Sequence, residues 1–172
     1  MSRVILETPR LRLRELHDGD AGFIFELLND PDFLRHIGDR GVHSHEDALR
    51  YIATGPVASY AGRGWGLWAV ERREDGALIG MCGLVSRDTL PGPDLGYAYL
   101  PAFRGQGYAF EAAAATLDFA FTRAGLDRLL AIVTPANAGS VRVLEKLGMR
   151  LERMQAFGGE PLAVYAADRP AA

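Results

Sequence analysis

Arg104-Gly-Gln-Gly-Tyr-Ala109 is the stretch that decides the fold, because it joins a strand pattern to a long helical one. Before it, the tyrosine-rich segment Asp94 to Leu100 is typical of a strand. After it, apolar residues recur at i, i+3, i+4 and i+7 from Tyr108 to Ala124, which predicts an amphipathic helix. The stretch is therefore predicted to be a tight strand-to-helix turn.

The chemistry of this turn suits a phosphate ligand. Two glycines let the backbone bend sharply and approach a ligand closely. The first amides of the following helix have no intrahelical partner, and the helix dipole adds positive charge there. Arg104 adds a cation that can pair with phosphate oxygens. The alternative is an ordinary turn that uses glycine for geometry alone. The spacing fits neither G-x-G-x-x-G nor a P-loop, so NAD and ATP are not favoured.

Working outward, the hydrophobic period predicts the order β-α-α-β-β-β-α-β-α-β-β. This is an α/β pattern with an antiparallel start and one central parallel β-α-β crossover.

Ser44 is a candidate N-cap for a helix that Gly55-Pro56 is predicted to end. Trp65 and Trp68 are predicted to lie on one strand and point to opposite faces. The 172 residues are expected to form one domain, residues 1–172.

Composition excludes several classes of function. Nineteen basic and 22 acidic residues give a net charge of −3, which does not favour nucleic acid. The single cysteine, Cys82, lies in an apolar stretch and is expected to be buried. His43 and His45 flank Ser44 without a third ligand, so no metal site is expected. Neither a signal h-region nor a membrane span is visible, so we expect a cytoplasmic protein. We expect a monomer or a homodimer.

The motif residues resemble those of a known family. Arg104-Gly-Gln-Gly-Tyr-Ala109 is similar to the [RQ]-x-x-G-x-[GA] motif of the GNAT superfamily of acyl-CoA-dependent N-acyltransferases. Downstream, Asn137-Ala-Gly-Ser140, Leu144 and Gly148-Met149 have the spacing of a second motif of that family. The opening segment, Leu6 to Arg14, resembles the branch that contains ribosomal-protein N-terminal acetyltransferases. The resemblance extends from about Leu6 to Tyr165.

The resemblance implies a fold and a co-substrate. The fold is a three-layer α/β/α arrangement with a mixed, twisted sheet, splayed between the fourth and fifth predicted strands, residues 94–100 and 129–133. Acetyl-CoA is the implied co-substrate, with no metal. Asn137 would contact the CoA arm, or cap a helix, or do both. The implied CoA-binding residues are Tyr97, Tyr99, Arg104, Gly105, Gln106, Gly107, Tyr108, Ala109 and Asn137.

Two residues are predicted to be catalytic. Ser140 matches a position that the resemblance assigns to a general acid for the leaving thiolate, or it is simply a small residue of a first helical turn. Leu144 stands where many relatives have Tyr, so a tyrosine at 97, 99 or 108 could serve instead. Asp94 is the candidate general base; its alternative is a solvated loop carboxylate. An α-amino group is roughly a tenth neutral at pH 7, and a lysine only about 0.04%, so acceptors differ in their need for a base.

The functional prediction is an N-acetyltransferase in which an amine attacks acetyl-CoA directly. The acceptor is a protein N-terminal α-amine or a small-molecule amine. In this family the N-terminal helices shape the acceptor site, so His36 or His43 could touch the acceptor. Two alternatives remain: a non-catalytic acyl-CoA sensor, which the missing tyrosine at Leu144 keeps open, and a nucleotide-binding α/β protein.

Overall fold

The computed structural model describes residues 2–171, whose eight strands form one sheet. The strands are β1 Val4–Glu7, β2 Leu11–Arg14, β3 Leu67–Arg72, β4 Leu78–Val85, β5 Asp94–Tyr99, β6 Arg128–Val133, β7 Arg150–Phe157 and β8 Glu160–Asp168. The helices are α1 Ala21–Leu28, α2 Pro31–His36, α3 His45–Ile52, α4 Ala58–Arg63, α5 Tyr108–Thr122 and α6 Ala138–Lys146. Within the described range, no helix is both long enough and apolar enough to cross a membrane.

The sheet is mixed, in the order β1-β2-β3-β4-β5-β6-β8-β7. Every neighbouring pair is antiparallel except β5 and β6, which are parallel and joined by the crossover helix α5. This confirms the predicted α/β class. The first strand, β1, was not predicted, because its four residues carry no clear alternation.

The predicted splay is confirmed, and it lies between β5 and β6. Asp94 and Leu130 form their only registered pair within the described residues. The next pair, β6 and β8, stays in register from Arg128 to Val133. Beyond Asp94, β5 and β6 therefore diverge and leave a gap in the sheet.

Helices cover both faces of the sheet, as the three-layer prediction requires. On one face, Trp68 meets Phe119 of α5 edge to face, with ring centroids 4.9 Å apart. Trp65 joins the same core, so the prediction that the two tryptophans face opposite sides is wrong. The reason is that β3 begins at Leu67, and strand alternation does not extend back to residue 65. On the other face, residues of α1 and α3 pack on β3 and β4.

The helix that begins after Ser44 does not end at Gly55-Pro56. A π-helical turn, Ala53–Val57, carries the chain from α3 directly into α4, and the helix ends at Gly64 with φ of 79°. Proline in a regular α-helix lacks a donor and clashes with the preceding turn. A wider i→i+5 turn gives the buried Pro56 ring room, so the proline is accommodated instead of ending the helix.

Candidate active site

A cavity of about 780 Å³ opens where β5 and β6 diverge. Residues 95–99 of β5 line one side of it, and residues 131–134 line the other. The turn before α5 lies at one end, and Asp94 and Arg87 also line the cavity. The splay thus creates the site, since a continuous sheet would leave no opening between these strands.

The glycine turn has the backbone geometry predicted for an anion site. Gly105 and Gly107 have φ of 74° and 84°, in the left-handed region that favours glycine. Gly107 is the N-cap of α5, and no side chain caps this end of the helix. The first amides of α5, at Tyr108, Ala109 and Phe110, are therefore left to a ligand or water. We call residues 104–109 the cradle.

A cation that the sequence did not reveal lies at the cradle. Arg10 donates from Nε to Glu111 at 2.7 Å and from Nη1 to the carbonyl oxygen of Gln106 at 2.9 Å. Its guanidinium lies 4.3 Å from the centroid of the Tyr108 ring. A Cβ added at Gly107 would lie 3.2 Å from Arg10 Nη2. Arg10 belongs to the opening segment that carries part of the family resemblance, but only the fold brings it next to α5.

The Arg104 side chain lines the cavity and has protein partners, and its pairing with phosphate stays a prediction. Its Nη2 donates to Asp30 and to the carbonyl oxygen of Tyr99, both at 2.7 Å, and its Nη1 pairs with Asp32 at 2.5 Å. Two carboxylates therefore neutralise the guanidinium. Arg104 ties α2 to the end of β5, and Arg10 is a second cation at the cradle, where it donates to the carbonyl oxygen of Gln106.

Ser140 and Tyr97 meet across the mouth of the gap. The Tyr97 hydroxyl lies 2.7 Å from Ser140 Oγ, and either oxygen can be the donor. Burial raises the pKa of Tyr97 to about 12, although the hydrogen bond to Ser140 opposes this rise. Asn137 Oδ1 accepts from the Ser140 amide at 3.3 Å, as expected for the N-cap of α6. Two hydroxyls, both un-ionised at neutral pH, thus line the cavity together.

The other candidate donors lie in different surroundings. The Tyr99 hydroxyl is buried and has no hydrogen-bond partner within residues 2–171. The Tyr108 ring is buried beneath Arg10. Leu144, at 1% exposed, belongs to the core. Of the three tyrosines, Tyr97 is the one that contacts Ser140.

Asp94 is a buried carboxylate, so its interpretation as a solvated loop acid is wrong. Its exposed fraction is 0%, and both its carboxylate oxygens lie near Arg87 Nε, at 3.0 and 3.1 Å. Burial raises the pKa of Asp94 to about 6, and the charge and hydrogen bond of Arg87 limit the rise. A carboxyl group with this pKa is largely ionised at pH 7 yet remains basic enough to take a proton.

The two histidines considered for acceptor contact have different positions. His36 lines the cavity, and its Nδ1 is buried with no hydrogen-bond partner in the described part of the chain. Thr134 donates to the carbonyl oxygen of His36 at 3.0 Å, which ties α2 to the end of β6. His43 lies in an exposed loop and pairs with Asp39. His36 therefore stays a candidate for contact with the acceptor, whereas His43 does not line the cavity.

Comparison with known proteins identifies the family. The model of the acetyltransferase (GNAT) domain matches residues 10–150. The chain belongs to the GNAT family of acetyltransferases. As a GNAT protein it is an acyltransferase, and it is 33% identical over 149 residues to the uncharacterized N-acetyltransferase YoaA of Bacillus subtilis (strain 168), covering 86% of this chain and 84% of the relative.

Solved structures of acetyltransferases share the fold. The GNAT-family acetyltransferase from Bacillus anthracis has a TM-score of 0.80 at 27% identity, covering 98% of this chain and 99% of that one. The ribosomal-protein-S5-alanine acetyltransferase from Vibrio fischeri has a TM-score of 0.81 at 19% identity, covering 98% and 97% of the two chains. The second likeness shows a common fold.

Proposed function

We propose that this GNAT protein transfers an acetyl group from acetyl-CoA to a primary amine by direct attack on the thioester. The acceptor is a protein N-terminal α-amine or a small-molecule amine. One observation carries the proposal: a single cavity joins an uncapped helix N-terminus to a buried carboxylate with a pKa of about 6. The helix end suits a diphosphate and the carboxylate suits an amine.

The co-substrate would lie along the splay. Its diphosphate would accept hydrogen bonds from the cradle amides, with Arg10 as the nearby cation. Backbone groups of a strand point alternately to its two neighbours. Because β5 has one registered pair with β6, the groups of β5 that point towards β6 are open to the pantetheine arm. Asn137 would contact the same arm while it caps α6.

Proton transfer would use one residue for the attacking amine and another for the leaving thiolate. Asp94, at the first residue of β5, would accept the proton that the amine loses as it attacks the thioester carbonyl. Backbone amides of the Tyr97–Tyr99 segment would stabilise the oxyanion. On collapse of the tetrahedral intermediate the C–S bond breaks, and Ser140 would protonate the leaving thiolate. The hydrogen bond at 2.7 Å allows Tyr97 to replace the proton on Ser140.

A thiol-release assay with an acceptor panel tests this function. Purified protein is mixed with acetyl-CoA and with N-terminal peptides or small amines, and released CoASH is titrated while mass spectrometry seeks a gain of one acetyl group on the acceptor. We expect CoASH release that depends on an acceptor and matches the acetylated product. Tight binding of acetyl-CoA without release from any amine would contradict the proposal and favour a sensor.

A further inference from the structure

One wall of the cavity is cationic, and it lies far from the cradle. It consists of Arg40 in the loop after α2, Tyr51 on α3 and Arg87 in the loop after β4; we call these three residues the acceptor wall. Arg87 is hydrogen-bonded to Asp94, the first residue of β5, whereas the cradle follows the end of that strand at Tyr99. Five residue steps along the strand separate Asp94 from Tyr99 by about 17 Å. The acceptor wall is therefore on the Asp94 side of the reacting centre.

The cations of this wall are incompletely neutralised. Arg87 uses Nε for Asp94, and its two Nη groups have no protein partner among residues 2–171. Over the same residues Arg40 has neither an ion pair nor a hydrogen bond. By contrast Arg35, which also lines the cavity, pairs with Asp32. One positive charge is thus left over on the acceptor wall, even when Asp94 is ionised.

Tyr51 brings a hydroxyl group to the same place. Arg40 and Arg87 lie near enough to this hydroxyl to favour its ionised form, although burial has the larger effect and raises the pKa of Tyr51. No protein group within the described range accepts its proton. A guanidinium and a phenol with free donors together form a good receptor for a carboxylate or a phosphate.

We propose that the acceptor is a small primary amine that also carries one anionic group, a carboxylate or a phosphate monoester, held by the acceptor wall. This inference rests on the proposed acetyl transfer. Arg87 contacts Asp94 on one side of its guanidinium and would contact the anion on the other, so the amine and the anion lie within a few bonds of each other. The pantetheine arm must share the 780 Å³ of the cavity, which leaves room for a small molecule.

Matched acceptors test the charge directly. One pair is an α-amino acid and its carboxamide; the other is phosphoethanolamine and ethanolamine. We expect the anionic member of at least one pair to have a kcat/KM at least tenfold higher, and the better pair identifies the anion. Equal values within both pairs would overturn the inference, as would a preference for a polyamine or for peptide N-termini over every anionic small amine.

Variants test the assigned wall. Arg40→Gln should reduce the preference for the anionic member about tenfold through KM, with the KM for acetyl-CoA unchanged. Arg50→Gln is the matched control, because Arg50 is on α3, pairs with Asp47 and does not line the cavity. An unchanged preference in Arg40→Gln would remove Arg40 from the site.

A binding measurement separates this inference from the proposed function. Calorimetry with a non-reactive thioether analogue of acetyl-CoA present should show heat of binding for the anionic amines and none for their neutral partners. Binding of anionic amines without CoASH release would contradict acetyl transfer while supporting the acceptor wall. CoASH release without any preference for an anion would support acetyl transfer and contradict the acceptor wall.

Discussion

Replacing Asp94 with asparagine should remove one ionisation from the pH dependence of catalysis. The asparagine side chain keeps the shape of the aspartate but cannot accept a proton. General-base catalysis is typically worth 10² to 10⁴ in rate, so we expect kcat/KM at pH 7 to fall by about that factor. The decrease should depend on pH in a way that the burial of Asp94 specifies.

The magnitude follows from the pKa of about 6. The active form is the ionised carboxylate, which is roughly nine-tenths of the population at pH 7 and roughly one-tenth at pH 5. The advantage of the wild type over Asp94→Asn should therefore shrink about tenfold between those pH values. Taking the ratio of the two proteins cancels the titration of the acceptor amine, which both share.

The assay is initial CoASH release from about pH 3.5 to 8 with the best acceptor of the panel. Asp88→Asn serves as the control, since this neighbouring aspartate is exposed and its ratio to the wild type should be flat. A flat ratio for Asp94→Asn would refute the role of Asp94 as the base. A ratio that changes only near pH 4 would refute the effect of burial on its pKa.

Three further outcomes can be measured. In calorimetry at pH 7, the melting temperature of Asp94→Asn should be no lower than that of the wild type. The rise in the pKa of Asp94 from 3.8 to about 6 means that the ionised carboxylate destabilises the folded state by roughly 3 kcal/mol at pH 7, and asparagine removes this cost. That cost is present at pH 7 and disappears as pH falls through 6 towards 3.8, so a clear destabilisation at pH 7 would contradict it. Tyr97→Phe and Ser140→Ala should each slow single-turnover chemistry with little change in acetyl-CoA Kd, and their effects should not be additive; full activity in both would exclude the hydroxyl pair. Arg104→Gln should lower the free energy of unfolding by about 1–2 kcal/mol in urea, because it leaves the buried Asp30 without its charged partner; an unchanged midpoint would contradict this anchoring role.

The parts of the site that sequence predicts well are those that local chemistry determines. The cradle follows from two glycines between a strand and a helix, and both adopt the left-handed conformation. Asn137 caps α6 because its side chain reaches the amide three residues ahead. The parallel crossover follows from the change of hydrophobic period on either side of the cradle. Each of these features is determined by residues that are close neighbours in the chain.

The rest depends on contacts between distant residues. Arg10 and Glu111 are 101 positions apart, and Arg104 and Asp30 are 74 apart, so no periodicity connects them. Asp94 is fully buried at the start of β5, and burial turns an apparent loop acid into a carboxylate with a raised pKa, which the hydrogen bond from the distant loop residue Arg87 partly offsets. Local rules for proline likewise fail at Pro56, where the chain forms a π-helical turn.

Binding of the acetyl-CoA diphosphate at the start of α5 is the event on which the proposed acetyl transfer depends most directly. Calorimetric titration of acetyl-CoA into Gly107→Glu and Gly125→Glu tests it with a matched pair. Both glycines have positive φ, at 84° and 70°, and flank the same helix, so each substitution carries a similar backbone strain of roughly 1–2 kcal/mol. We predict at least a hundredfold loss of affinity in Gly107→Glu and wild-type affinity in Gly125→Glu. Equal acetyl-CoA affinity in the two variants would contradict binding of the diphosphate at this end of α5.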